Sequence, residues 1–196
     1  VYIAPSASRE HQNRDSTKEF DQVSLFKPIT KAAYSVNKVE RIPDAMRQAF
    51  RIATSGKMGP VLGDIPRDVI AGTSLDIEDL TLDQYRPTSN RTRGDKELIG
   101  NAVQNIKNSK KPVIVAGVGV NWSLAAEEVM QLAGLTGAAI VTSYGRADAV
   151  PNDHPQYLGP LGRLGADDAT SSIQETDLTI AAGTSLGQST QLHVNP

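Results

Sequence analysis

Cysteine is absent from all 196 residues, which excludes disulfides, thiolate metal centres and cysteine nucleophiles. A chain without Cys suits a reducing compartment, so the cytoplasm is the expected location. An excess of either charge is also lacking: 20 Lys and Arg stand against 22 Asp and Glu, a formal net charge of -2. With no broad basic surface, nucleic acid is not an expected partner. Long hydrophobic runs are missing too. Apolar stretches such as residues 112–120 fall far short of the roughly 20 residues that cross a bilayer, so no membrane partner is expected. The chain opens on Val1-Tyr2-Ile3-Ala4-Pro5, with neither an initiator Met nor a basic leader. That start reads as a strand continuing from earlier sequence, and it leaves organelle targeting open.

What is present is an ordinary globular composition, 39% apolar and 21% charged, in a length that fits one large domain or one small domain plus part of another. Residues 1–4 read as a buried strand, followed by a polar loop over 5–17. Pro43 suits a first helical turn, and Ala45, Met46, Ala49, Phe50, Ile52 and Ala53 then recur at helical spacing until Ser55-Gly56. An apolar strand over 59–66 follows, closed by Pro66. Residues 71–94 lose periodicity and gather polar residues, which places a linker over 76–94 between a first segment, 1–75, and a second, 95–196.

The second segment alternates regularly. A helix over 96–107 shows Leu98, Ile99, Ala102, Val103 and Ile106 on one face, and a strand over 113–116 follows. Gly117-Val118-Gly119 turns the chain, Ser123 is read as the cap of a helix running to Ala133, and 138–141 is the next buried strand. A loop over 142–165, a helix over 166–174 and a strand over 178–182 complete it. The fold class is α/β with parallel-sheet layers, the second segment Rossmann-like.

Gly117 and Gly119 follow a strand and open a helix, where backbone N–H groups can face a phosphate; the same glycines also suit a merely tight turn. The full dinucleotide fingerprint is incomplete, because Trp122 stands where a third Gly belongs and no acidic residue ends the next strand. Thr142-Ser143 and Gly183-Thr184 close two further strands. Three such ends converging on one sheet edge point to a ligand crevice, although small residues there also permit turns. His11, His154 and His193 have no metal or triad spacing, and Asp167-Asp168 and Glu127-Glu128 suit helix N-termini. No catalytic residue and no metal ligand is assigned.

Two stretches are distinctive: Asp15-Ser16-Thr17-Lys18-Glu19 through Lys27-Pro28-Ile29-Thr30-Lys31-Ala32-Ala33-Tyr34-Ser35-Val36, and Gly56-Lys57-Met58-Gly59-Pro60-Val61-Leu62-Gly63-Asp64-Ile65-Pro66-Arg67-Asp68-Val69. The chain resembles thiamine-diphosphate enzymes of the acetolactate synthase type, in which these stretches close the pyrimidine-binding domain. Lys111-Pro112-Val113 through Gly119, His154-Pro155 through Gly159-Pro160-Leu161-Gly162, and the run from Asp177 to Gly183 are similar to that family's central, DHS-like domain.

The resemblance implies a parent enzyme acting on a 2-oxo acid or acyl substrate with thiamine diphosphate and Mg²⁺. Its activating glutamate would lie upstream of Val1 and its Mg²⁺ motif beyond Pro196, so the chain alone would be inactive. It also implies a homodimer or homotetramer, and FAD or ADP in the central domain, with Gly117, Gly119, Thr142, Ser143, Gly162, Gly183 and Thr184 as the binding positions. Thr17-Lys18 replaces the family's Phe-Gln, Ser185 replaces an Arg, and Arg163-Leu164-Gly165 replaces Met-His-Gly. Sulfoacetaldehyde acetyltransferase and oxalyl-CoA decarboxylase types stay open. So does a non-catalytic Rossmann-like nucleotide-binding or scaffolding module. A sirtuin-like deacylase, suggested by Gly183-Thr184-Ser185, lacks its His motif and its cysteines.

Overall fold

A computed structural model of the chain describes residues 1–74 and 93–191. The expected linker, up to residue 92, and His193 lie outside the described residues. Two compact units result, residues 1–92 and 93–196.

The first unit is built on a three-stranded sheet of β1 (Tyr2–Ser6), β2 (Ala32–Ser35) and β3 (Val61–Pro66), in the order β1-β3-β2 and parallel throughout. Central β3 is buried at every position except Asp64, as a parallel strand covered on both faces must be. Pro5 is tolerated because β1 is an edge strand, where a missing N–H breaks no second ladder. Strand β2 escapes the sequence pattern: Ala-Ala-Tyr-Ser carries no β-branched residue and only four positions.

The amphipathic α2 (Ile42–Thr54) forms where the apolar spacing puts it, with Pro43 in its first turn and Ala45 and Ala49 buried. It packs with Ile65 and Val36, and the Tyr34 hydroxyl donates to Ala45 O at 2.7 Å. The last turn of α2 is closed by Lys31, whose Nζ donates to Ile52 O at 2.6 Å and Ser55 O at 2.5 Å. A cation at a helix C-terminus also offsets the negative end of the dipole. Two short helices complete this unit, α1 (Gln22–Phe26) and α3 (Arg67–Ile70).

The second unit holds a parallel sheet of β4 (Pro112–Ala116), β5 (Ala139–Thr142), β6 (Tyr157–Pro160) and β7 (Leu178–Ala182), in the order β6-β5-β4-β7. Alternate residues of the central strands feed two cores. Ile114, Ala116 and Ile140 pack with Val129 and Ala133 of α6 (Ala126–Thr136). Val113, Val115 and Val141 pack with Ala169 of α7 (Asp167–Glu175). Helices therefore cover both faces, which is the doubly wound, Rossmann-like arrangement.

Helix α4 (Lys96–Asn108) has the expected bounds, with Asp95 accepting the N–H groups of Glu97 and Leu98 as its cap. Its apolar stripe stays largely uncovered, with Leu98 68% and Ile99 52% exposed.

Two expectations are corrected. Ser123 does not start a helix: a five-residue α5 (Val118–Trp122) ends on it, Leu124 turns the chain at φ 51°, and α6 begins at Ala126. A left-handed residue stops one helix before the next can start, so the two cannot merge. The loop expected over 142–165 contains β6. Its Gly159 has φ 107° and it ends on Pro160, a pairing that reads as a turn in sequence but is accommodated on an edge strand with a register shift.

Candidate functional site

Parallel β5, β4 and β7 are neighbours, so the turns following them meet at one edge of the second sheet. The chain runs from β4 outward to β5 and β6, then returns to β7 on the other side of β4. The topological switch point, where open α/β sheets hold ligands, therefore lies at the carboxyl ends of β4 and β7.

The glycines at that point serve contact between two turns. Gly117 N–H donates to Ala182 O at 2.9 Å, and Gly119 N–H donates to Gly183 O at 2.8 Å. A Cβ on Gly117 would stand 2.6 Å from Gly183 O, one on Gly119 2.7 Å from Gly183 Cα, and one on Gly183 2.6 Å from Val120 N. Both amides expected to face a phosphate are thus engaged with the end of β7, and α5 is one short turn.

Thr142 is fully buried, its hydroxyl 3.2 Å from that of Tyr157. Gly162, at φ 98°, lies beneath the short helix α8 (Gln188–Gln191), where a Cβ would collide with Ser189 O. Of the seven residues expected at this edge, Ser143, itself buried, and half-buried Thr184 line a pocket. Their hydroxyls pair at 2.6 Å over the end of β4.

Both line a pocket of about 460 Å³, together with Tyr144, Arg146, Ser185 and Thr190. Thr190 is 7% exposed and its hydroxyl oxygen accepts the Tyr144 N–H at 3.3 Å. Arg146 is the cation in the lining, steadied by a 2.6 Å bond from Nε to Gly145 O. Sequence reasoning passes over Arg146 and Thr190. The usable signal is Gly145, whose φ of 71° turns the chain back over the edge just after the strand. Hydroxyls beside one guanidinium suit the oxygens of a phosphate-bearing group. Ser143, Thr184 and Arg146 therefore carry the groups at this edge whose chemistry suits a phosphate, while the Gly117 and Gly119 amides are taken up by Ala182 and Gly183.

A second pocket, of about 450 Å³, lies at the corresponding edge of the first sheet, where Ser6, Ser35 and Asp64 meet Lys18, Phe20 and Gln22. Buried Gln22 donates through Nε2 to Pro5 O at 3.1 Å and to Asp64 Oδ1 at 3.4 Å. The neighbouring loop is gathered on Glu19. Its carboxylate accepts the N–H groups of Asn13, of Arg14 at 3.2 Å and of Ser16 at 2.8 Å, and these bonds, that from Ser16 first, hold the carboxyl below its usual pKa.

At the opposite edge of the second sheet, Asp177 accepts from the Ser109 hydroxyl, from Lys110 N at 2.7 Å and from Lys111 N at 3.0 Å. These donors lower its pKa to about 2, the Ser109 hydroxyl most. Glu127-Glu128 and Asp167-Asp168 occupy the first turns of α6 and α7. His154 accepts the Gln156 N–H at 3.3 Å. Among the described residues, no group of three or more His, Asp or Glu is placed to hold a metal ion. Nor is any helix among them long and apolar enough to cross a membrane.

Comparison with known proteins gives a consistent result. The central domain of thiamine pyrophosphate enzymes matches residues 99–196. A probable acetolactate synthase large subunit of Methanocaldococcus jannaschii is 39% identical over 175 residues, 86% of this chain and 29% of that protein. The acetolactate synthase of Mycobacterium bovis is 37% identical over 186 residues, 94% of this chain and 30% of that protein. In fold, the benzoylformate decarboxylase of Polynucleobacter necessarius superposes with a TM-score of 0.76 at 22% identity, covering 99% of this chain and 35% of the other. The chain thus spans under a third of the length of these curated relatives. It belongs to the thiamine pyrophosphate enzyme family, and acetolactate synthases are among its relatives.

Proposed function

We propose that the protein to which this chain belongs is a thiamine-diphosphate- and Mg²⁺-dependent carboligase or decarboxylase acting on 2-oxo acids or acyl substrates. The carrying observation is the sequence likeness to acetolactate synthases over 86% and 94% of the chain. In this reading residues 1–75 end a pyrimidine-binding domain, 76–94 link, and 95–196 belong to the central domain. Thiamine diphosphate, when bound, would supply the electron sink that lets a 2-oxo acid lose its carboxylate as CO2 and pass on the remaining acyl unit. The parent is a homodimer or homotetramer working in the cytoplasm.

The residues of this chain position and pack. In the second unit the pocket at the carboxyl ends of β4, β5 and β7 receives the phosphates of a nucleotide, FAD or ADP. Arg146 supplies charge, and the mutually bonded hydroxyls of Ser143 and Thr184 leave one hydrogen to donate. Gly117, Gly119, Gly183 and Gly162 act at one remove, by letting the turns that carry those groups approach each other.

The purified chain with thiamine diphosphate, Mg²⁺ and pyruvate should show no turnover, since no catalytic residue is assigned within it. Calorimetric titration with FAD and ADP should give saturable heat that Arg146→Ala abolishes. Turnover by the chain would refute the assignment of the reacting groups elsewhere, and no heat with either nucleotide would refute the pocket.

A further inference from the structure

The loop between the first 3₁₀ turn and α1 turns on one carboxylate. Asn13, Asp15 and Lys18 all adopt positive φ, 63°, 53° and 68°, a conformation that costs a non-glycine residue free energy unless something holds it. The contacts that gather this loop converge on Glu19, whose two oxygens accept the backbone N–H groups of Asn13, Arg14 and Ser16. The Ser16 hydroxyl closes the ring by donating to His11 O at 2.6 Å. Immediately beyond, Asp21 caps α1 by accepting the Ser24 N–H at 2.9 Å, and Gln22 reaches across to Pro5 and Asp64. Residues on both sides of Glu19 therefore line the pocket over the carboxyl ends of β1, β2 and β3.

From this geometry we infer that Glu19 is a positioning residue. By binding three amides of its own loop it sets where Lys18 and Phe20 stand at the mouth of the first-unit pocket, and so sets the pocket's shape. Glu19 is itself in the pocket lining, and three of the bonds its carboxylate accepts come from its own loop. Hydrogen bonds from neutral donors to a charged acceptor are among the stronger ones, and three on one group act cooperatively against the strain of the left-handed residues.

Other charged groups in the loop and the pocket lining are Arg14, Asp15, Lys18, Asp21 and Asp64, with Arg9, Glu10 and His11 in the adjoining 3₁₀ turn. Asp21 is committed to the α1 cap and Asp64 accepts from Gln22. The ionised form of Glu19 is favoured by the bonds it accepts, that from the Ser16 backbone first.

The test is residue-resolved amide exchange and backbone NMR on the chain and on its Glu19→Gln variant. At neutral pH, Asn13, Arg14 and Ser16 should exchange roughly tenfold more slowly in the parent chain than in the variant, as expected for losing charge-assisted bonds. That protection should fade in acid as Glu19 protonates, and the variant should show no such pH dependence. The resonances of Ser6, Ser35 and Gln22 should shift in the variant, which a role confined to the loop would not cause. Glu19→Asp, one methylene shorter, should keep the pH dependence at reduced protection. Equal exchange in parent and variant, or shifts confined to residues 11–19, would overturn the inference. Should Glu19→Gln fail to fold, acid titration of the unchanged chain decides: early loss of protection confined to the loop supports it, and loss across the whole sheet refutes it.

Discussion

Asp177 shows how much one solvent-facing carboxylate can organise. Three donors from the segment that enters β4 converge on it, and Thr176 adds a 2.7 Å bond to Lys111 O, so the starts of β4 and β7 are tied side by side. Its folded pKa, about 2, lies below the usual aspartate value near 3.9. A depressed carboxylate stabilises the fold above its unfolded pKa and loses that contribution as pH falls through the folded one. Acid unfolding should therefore show a loss of stability between about pH 4 and about pH 2 that Asp177→Asn lacks. Circular dichroism melts across that window check it, and identical pH profiles for the two proteins would count against the assignment. At neutral pH the variant should already melt lower, since an amide cannot accept all three bonds equally.

At the scale of elements, the turns after β4 and β7 are joined by glycines that leave no room for a side chain, whereas other glycines do not work this way. Gly134, inside α6, has nothing within 4 Å of the place a methyl group would take, so Gly134→Ala should stabilise by about 0.5–1 kcal/mol through helix propensity. Gly119→Ala should instead cost on the order of 2 kcal/mol, because backbone must move apart from backbone. Paired denaturant titrations measure both, and a neutral Gly119→Ala would contradict the close approach.

The same contrast explains what can be read in advance. Helices α2 and α4 and strands β3, β4 and β7 are legible because apolar period and bounding Pro or Gly agree there. Strands β2 and β6 are not, since Ala-Ala-Tyr-Ser and Tyr-Leu-Gly-Pro acquire strand conformation only from a neighbouring strand. The sheet edge is legible as a place, from Ser143 and Thr184. Which groups face outward is not: Gly117 and Gly119 donate to the far end of another strand, at Ala182 and Gly183, a partnership no local pattern encodes. Arg146 and Glu19 escape for the same reason, being defined by what the folded chain brings to them.

For the whole molecule, each unit carries its own parallel sheet and its own core, with a pocket at the carboxyl edge of each. Metal chemistry would need hard oxygen ligands in a cluster, and the described residues contain no such group. A bound ion would stabilise the folded chain by mass action, so a rise in melting temperature on adding Mg²⁺, measured by differential scanning calorimetry, would report ligands beyond the described residues.

The glycine contact between the β4 and β7 turns has a consequence for how such a molecule can change over generations. Gly117, Gly119 and Gly183 touch through main-chain atoms, so trimming a neighbouring side chain cannot make room for a larger residue at any of them. Relief has to come from lengthening or re-routing one of the two turns. Single-letter drift is thereby opposed at all three positions, although Gly183 is far in sequence from Gly117 and Gly119, and they form one inherited block that tolerates insertion better than substitution.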